Sequence, residues 1–176
     1  MTDWEAIVRE FGPVVWRTAF RLLNREADAA DCFQRTFLAA LEVDREERVR
    51  HWPAILRRLA TARALEQLRG RYRESRLSSE LPDEPPLDPA ALDPVELVSG
   101  GELALALRKA LARIDPQQAE VFFLVCLEGS TNAEAAAAIG ITANHAGVLL
   151  HRCRAALRER LRAFDPNREH TAGGHS

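Results

Sequence analysis

Residues 130–162 read STNAEAAAAIGITANHAGVLLHRCRAALRERLR, and the fold turns on this stretch. Thr131 and Glu134 have the Thr-x-x-Glu spacing of a capping box, which satisfies free amides at a helix start. Gly140 stops a short Ala-rich helix, and Thr142 is placed to cap the next one. In that second helix Ala146, Leu150, Cys153, Leu157 and Leu161 recur at helical spacing and share one face. Asn144, Val148 and His151 lie opposite, with His145 and Arg152 beside them. Two helices joined by a tight turn, the second apolar on one side and polar on the other, have the form of a helix-turn-helix, whose second helix fits a major groove.

Around this core the chain holds 176 residues, 47% of them hydrophobic, enough for one or two small domains. No apolar run approaches the roughly 18 residues that span a bilayer, and the N-terminus lacks a charged-then-apolar signal segment. Cys32, Cys126 and Cys153 are odd in number and far apart, and all three fall in apolar helical patterns. Buried thiols in a reducing cytoplasm are the expectation.

The formal net charge of −2 conceals alternating blocks. Residues 45–76 carry 10 arginines against 4 acids, whereas 77–107 carry 7 acids and no base. Residues 108–162 return to 8 bases against 5 acids. Two basic modules divided by an acidic segment point to a polyanionic partner. The chain has a single lysine, Lys109, and is rich in alanine. That bias accompanies GC-rich coding, so the charge is more informative than the choice of arginine.

The periodicity is helical throughout, which makes the fold all-α. Trp4, Ile7, Val8 and Phe11 form a stripe ahead of Gly12-Pro13, and Val14 to Leu23 continue it as far as Asn24. Over 26–42, Ala30, Phe33, Phe37, Ala40 and Leu41 define a core face, with Asp28, Asp31, Arg35, Leu38 and Glu42 opposite. After a charged loop at 44–51, Pro53 suits the first turn of another helix. Its two out-of-phase stripes, Ile55-Leu56-Leu59 and Leu65-Leu68-Tyr72, imply a bend or a change of packing partner at 60–64. Five of the nine prolines fall within 77–100, the composition of a linker. Leu103, Leu107, Ala110 and Leu111 resume the pattern, Asp115-Pro116 starts a helix running through Leu127, and Gly129 closes it. The organisation read from this is a three- or four-helix domain over 1–76, a linker over 77–101, a four-helix domain over 102–164 and a tail over 165–176.

This order resembles that of the extracytoplasmic-function (group IV) sigma factors of RNA polymerase, which retain only sigma domains 2 and 4. Three blocks carry the resemblance. ADAADCFQRTFLAAL (27–41) is similar to the polymerase-binding signature. LRRLATARALEQLRGRYR (56–73) is similar to the segment that reads the −10 promoter element. LARIDPQQAEVFFLVCLEGSTNAEAAAAIGITANHAGVLLHRCRAALRERL (111–161) is similar to the −35-reading domain. The resemblance implies a non-catalytic initiation subunit whose partners are core RNA polymerase (the clamp of its largest subunit, and the flap), promoter DNA, and an anti-sigma factor or other regulator.

Carried over residue by residue, it places Asp28, Asp31, Gln34, Arg35, Thr36 and Leu38, with Phe37, at the polymerase. Ala30 and Arg35 stand where acids are usual. Asp31 and Arg35 are also spaced as an ordinary exposed helix pair. The −10 positions are Trp52, Arg63, Glu66, Arg69, Arg71 and Arg73, with arginines for phosphates and a pocket for an unstacked base. Ala62 and Glu66 replace the usual Asn and Asp, and Trp52 also suits a core. The −35 positions are Thr142, Asn144, His145, Val148, Arg152 and Arg154. Gly147 and Leu149 stand where bases are frequent, so phosphate contact is expected to outweigh base readout. The acidic linker fits either a nucleic-acid mimic or a plain tether. Added negative charge on Thr36 or Thr61 by phosphorylation is one way to restore an acidic docking face.

Two other classes fit less of the chain. A stand-alone helix-turn-helix regulator with an N-terminal sensor or dimerisation domain explains 130–162 but neither 27–41 nor the basic 45–76 segment. For an enzyme, the chain offers no Gly-rich phosphate loop, nucleophile elbow or paired-carboxylate motif. No cofactor is expected. No metal is expected either, because His145, His151 and Cys153 point in three directions on one helix.

Overall fold

A computed structural model of the chain describes residues 2–78 and 100–164. Every regular element among them is helical. The central part of the expected linker and the tail from 165 lie outside the described residues.

Helix α1 (Trp4–Leu23) begins where the Asp3 carboxylate accepts the Ala6 amide at 3.0 Å. It runs unbroken through Gly12-Pro13. It ends at Asn24, whose left-handed conformation (φ 50°) turns its own amide back to the Phe20 carbonyl at 2.8 Å; Asn tolerates that region better than most residues.

Helix α2 (Glu26–Glu46) packs through small residues: Ala29, Cys32, Thr36, Ala39 and Ala40 are its buried positions. The expected face was rotated, since Ala30, Phe33, Phe37 and Leu41 are only partly buried. Close helix contact is the reason. The Cys32 thiol sits 3.8 Å from the Ala60 carbonyl of the next helix, a separation that excludes large side chains. The aromatic rings spread to the sides, Phe33 against Phe37 and Trp16 with ring centroids at 4.9 and 6.3 Å.

Helix α3 (Trp52–Ser78) is one 27-residue helix, about 40 Å long at 1.5 Å per residue. Its two stripes mark a change of packing partner. Leu56 and Ala60 join Ile7, Val15 and Ala40 in one apolar cluster. Ala64, Leu65, Leu68 and Tyr72 join a second cluster that contains residues of the C-terminal half.

That half comprises α4 (Gly100–Leu111), α5 (Pro116–Phe122), α6 (Asn132–Ile139) and α7 (Ala143–Arg160). Asp115 caps α5 by accepting the Gln117 and Gln118 amides, both at 3.1 Å, ahead of Pro116 at the first turn. The α5 helix then widens into a π segment over Phe123–Leu127. There the Glu128 amide reaches the Phe123 carbonyl at 3.0 Å and the Ser130 amide reaches Leu124 at 2.9 Å. The extra residue in this turn shifts the helical register. Phe123 and Leu124 stay buried and Cys126 swings out, so one of the three thiols expected to be buried is exposed.

The helix-turn-helix forms as its punctuation demands. The capping box is complete: the Thr131 hydroxyl accepts the Glu134 amide at 3.1 Å, and the Glu134 carboxylate accepts the Thr131 amide at 2.8 Å. Gly140 takes φ 80°, a region costly for any residue with a Cβ. The chain bends by 104° between α6 and α7. The Thr142 oxygen then accepts the His145 amide at 3.2 Å. Val121, Ala136, Ala146, Leu149 and Leu150 close a cluster of their own beneath the turn.

Candidate polymerase and nucleic-acid interfaces

On α2, Asp31, Gln34, Arg35 and Leu38 lie at i, i+3, i+4 and i+7 and are all exposed. They form one stripe. Asp31 and Arg35 are paired at 3.7 Å, both about half exposed, so this contact adds little stability. Leu38 is 62% exposed, an apolar side chain projecting from a charged surface. Arg63 of α3 joins Arg35, Leu38 and Glu42 around a shallow groove at its side and pairs with Glu66 at 3.2 Å.

Two members expected on this surface are elsewhere. Thr36 is fully buried, its hydroxyl donating to the Cys32 carbonyl at 2.7 Å; a β-branched side chain bonding its own preceding turn fits the narrow α2–α3 gap. It can neither touch a partner nor accept phosphate while the domain is folded. The same holds for Thr61, also fully buried. Asp28 is turned inward to pair with Arg71 at 3.2 Å, and the same Arg71 guanidinium donates to the Leu23 carbonyl at 2.9 Å. A residue expected at the polymerase and one expected at DNA thus hold α1, α2 and α3 together.

The remaining α3 positions divide. Trp52 packs edge-on against Trp4, ring centroids 5.0 Å apart at 74°, within the α1–α3 cluster. It is packing rather than an open stacking platform. Arg73 is exposed, whereas Arg69 is half-buried and donates to the Ile114 carbonyl at 3.4 Å. Ala62, Leu65, Glu66, Arg69 and Arg73 form one wall of a cleft of about 310 Å³. Pro116 and Glu120 of α5 line the other side. Burial pushes the Glu120 carboxyl above its ordinary value, partly offset by Arg58 and then Arg69.

On α7, Thr142, Asn144, His145, Val148 and Arg152 are all exposed, and Val148 is 47% exposed at mid-face. The Thr142 oxygen is engaged as the helix cap. Arg154 reaches sideways, its guanidinium 3.5 Å from the Cys126 sulfur. Leu149, which the resemblance sets where basic residues are frequent, is 5% exposed and belongs to the core. A base there would have no route to DNA.

Sequence reasoning missed the residues that tie the two halves together: Arg21, Arg58, Arg108, Glu120 and Glu128. Their partners lie from 62 to 107 positions away in the chain, beyond any local pattern. Among the described residues no group of His, Cys, Asp and Glu has the geometry to hold a metal ion. No single helix there is long and apolar enough to cross a membrane.

The architecture defines a two-unit helical protein with a basic long helix in one unit and a helix-turn-helix in the other. Residues 7–74 match the family model for sigma-70 region 2, and residues 104–157 match that for sigma-70 region 4. The chain is 28% identical over 163 residues to the ECF RNA polymerase sigma factor SigE of Mycolicibacterium smegmatis. That alignment covers 92% of this chain, which spans 62% of the relative's length. Among solved structures, RpoE of Bartonella quintana, in complex with the anti-sigma factor NepR, superposes with a TM-score of 0.56 at 23% identity, covering 92% of this chain and 98% of that one. CnrH, in complex with the cytosolic domain of CnrY, gives 0.57 at 23% identity, covering 92% and 88%. These likenesses concern the fold. The chain carries regions 2 and 4 of the sigma-70 family, and it is similar over most of its length to an extracytoplasmic-function member.

Proposed function

We propose that this chain is an alternative sigma factor, a non-catalytic subunit that binds core RNA polymerase in the cytoplasm and directs it to a set of promoters. Its working units are 1–76 and 102–164, joined by 77–101. The α2 stripe Asp31, Gln34, Arg35 and Leu38, extended by Arg63, meets the polymerase clamp. Arg69 and Arg73, with the loop ahead of α3, hold the melted −10 strand. Asn144, His145, Val148 and Arg152 meet the −35 element in the major groove.

The observation that carries this reading is the exposed α2 stripe. The stripe, with Leu38 62% exposed among charges, falls within the residues that match sigma-70 region 2, which supports reading it as the docking surface, and it lies on the unit that does not contain the helix-turn-helix. A stand-alone regulator leaves it unexplained. The relatives crystallised with NepR and CnrY favour a regulatory protein partner of the anti-sigma kind here too. The test is transcription reconstituted from this chain, core polymerase and genomic DNA, with start sites mapped. Discrete start sites that depend on the chain are expected. Binding to DNA without polymerase-dependent initiation would establish a regulator instead.

A further inference from the structure

The loop that joins α2 to α3, residues 47–51, is tied down by one side chain. Helix α2 stops at Glu47, whose extended backbone returns its amide to the Val43 carbonyl at 2.9 Å. Asp44, in the last turn of α2, uses both carboxylate oxygens. Oδ1 accepts the Val49 amide at 3.2 Å, five positions ahead in the loop. Oδ2 accepts the Thr2 hydroxyl at 2.6 Å, a length typical of a bond to an ionised carboxylate. The Thr2 hydroxyl, and after it the Val49 amide, hold the Asp44 carboxyl below its ordinary value of 3.8. Thr2 stands next to Asp3, the cap of α1, and Trp4 of α1 packs against Trp52 at the start of α3. The loop is therefore fixed at its middle by Asp44 and at its far end by Trp52.

What the loop presents is basic. Arg48, Arg50 and His51 are exposed, whereas Val49 between the two arginines is half-buried. A carboxylate beside such a loop opposes phosphate binding through its charge. Hydrogen bonding to Val49 is what Asp44 gives in return. Arginine side chains and loop backbone lose freedom when a ligand orders them, and a loop already held in one shape loses less.

We infer that Asp44, braced by Thr2, is a positioning residue for −10 recognition, setting the shape of loop 47–51 before the strand arrives so that Arg48 and Arg50 meet it preordered. This rests on the proposed assignment of that loop to the melted strand. Asp44 acts through the Val49 amide and contacts no nucleotide itself. Thr2 and Asp44 are 42 positions apart, so the brace has no local signature in the chain.

The test measures strand binding by the full-length chain assembled with core polymerase. The probe is a labelled single strand carrying the −10 element of a promoter mapped with this chain, read by fluorescence anisotropy, with a scrambled strand beside it. Circular dichroism fixes a temperature at which every variant is folded. Asp44→Ala should weaken binding of the matched strand by about threefold to tenfold and narrow its advantage over the scrambled one. Thr2→Val, which leaves the Val49 bond, should fall between Asp44→Ala and wild type. Asp44→Asn keeps an oxygen for the Val49 amide and an amide group for the Thr2 hydroxyl, and should bind within about twofold of wild type. Charge alone predicts the opposite sign, since Asp44→Ala and Asp44→Asn each remove a negative charge that repels phosphates. Arg48→Ala/Arg50→Ala tests the loop's own contact with the strand and should bind weakly. If it does, and Asp44→Ala binds as well as wild type or better, the inference is overturned while the loop keeps its assignment. Asp44→Asn binding as weakly as Asp44→Ala would overturn it too. Wild-type binding by Arg48→Ala/Arg50→Ala would overturn the loop's assignment and the inference together.

Discussion

Replacing Leu149 by arginine separates two views of α7. By position, an arginine there adds a phosphate contact and tightens DNA binding. By structure, Leu149 is 5% exposed among Val121, Ala136, Ala146 and Leu150. Removing the leucine forfeits about 1.5–3 kcal/mol of apolar burial. The guanidinium must then stay unpaired in that cluster or force the α5–α7 contact open, which brings the total to about 4 kcal/mol or more. Against a stability of roughly 5–15 kcal/mol this is a large fraction. Urea titration followed by circular dichroism should show the midpoint falling by about 2 M, taking a slope of about 2 kcal/mol/M. DNA affinity should drop with it. Val148→Arg, one residue earlier and 47% exposed, should leave the midpoint within about 0.25 M and steepen the salt dependence of DNA binding by about one unit of slope. An unchanged midpoint for Leu149→Arg, together with tighter DNA binding, would refute the placement of this helix.

Leu38→Asp should leave thermal stability nearly unchanged, because the side chain is already exposed, while weakening binding to core polymerase by about tenfold, measured by fluorescence anisotropy. Thr36→Glu, a phosphate mimic, should unfold the first unit rather than strengthen docking, costing about 3–5 kcal/mol for a charge forced into the α2–α3 gap; unaltered melting would contradict this. The Glu134 carboxylate is held below its ordinary value of 4.5 first by the Thr131 amide and then by the Thr131 hydroxyl. With a depressed folded value, its contribution is present above 4.5 and is lost as the pH falls through the lowered value. Glu134→Gln should remove that acid-range loss, and an unaltered pH profile of stability would speak against the capping box.

Local signals were legible in the chain. Thr131, Glu134, Gly140 and Thr142 announced the helix-turn-helix because caps and left-handed glycines act within four residues. Asp115-Pro116 announced α5 for the same reason. The change of partner at 60–64 also showed, because two apolar stripes out of phase cannot face one neighbour. What failed was anything set by distance between helices. The α2 face was read from its large aromatic residues; Ala40 was placed correctly, but the rest of the contact line belongs to Ala29, Cys32 and Thr36, where α3 comes too close for rings. Cys126 was misplaced because a π turn leaves no clear mark in a run such as FFLVCL. Arg69 and Arg71 were read as free for phosphates because their partners, Ile114 and Asp28, are over forty residues away. Of the face read as opposite the core, Asp31, Arg35, Leu38 and Glu42 are exposed as expected, since helical spacing alone determines it, and Asp28 is turned inward.

In the proposed function one chain, bound to polymerase, reads two promoter elements with two different helices. Iron-chelate cleavage tests it most directly, with the reagent tethered singly at Val148→Cys and at Arg73→Cys in the Cys126→Ser background, in complexes with core polymerase on a mapped promoter. Cuts are expected near −35 from position 148 and near −10 from position 73, both dependent on polymerase. Cuts from the two positions at one place, or cuts unchanged when polymerase is omitted, would contradict it.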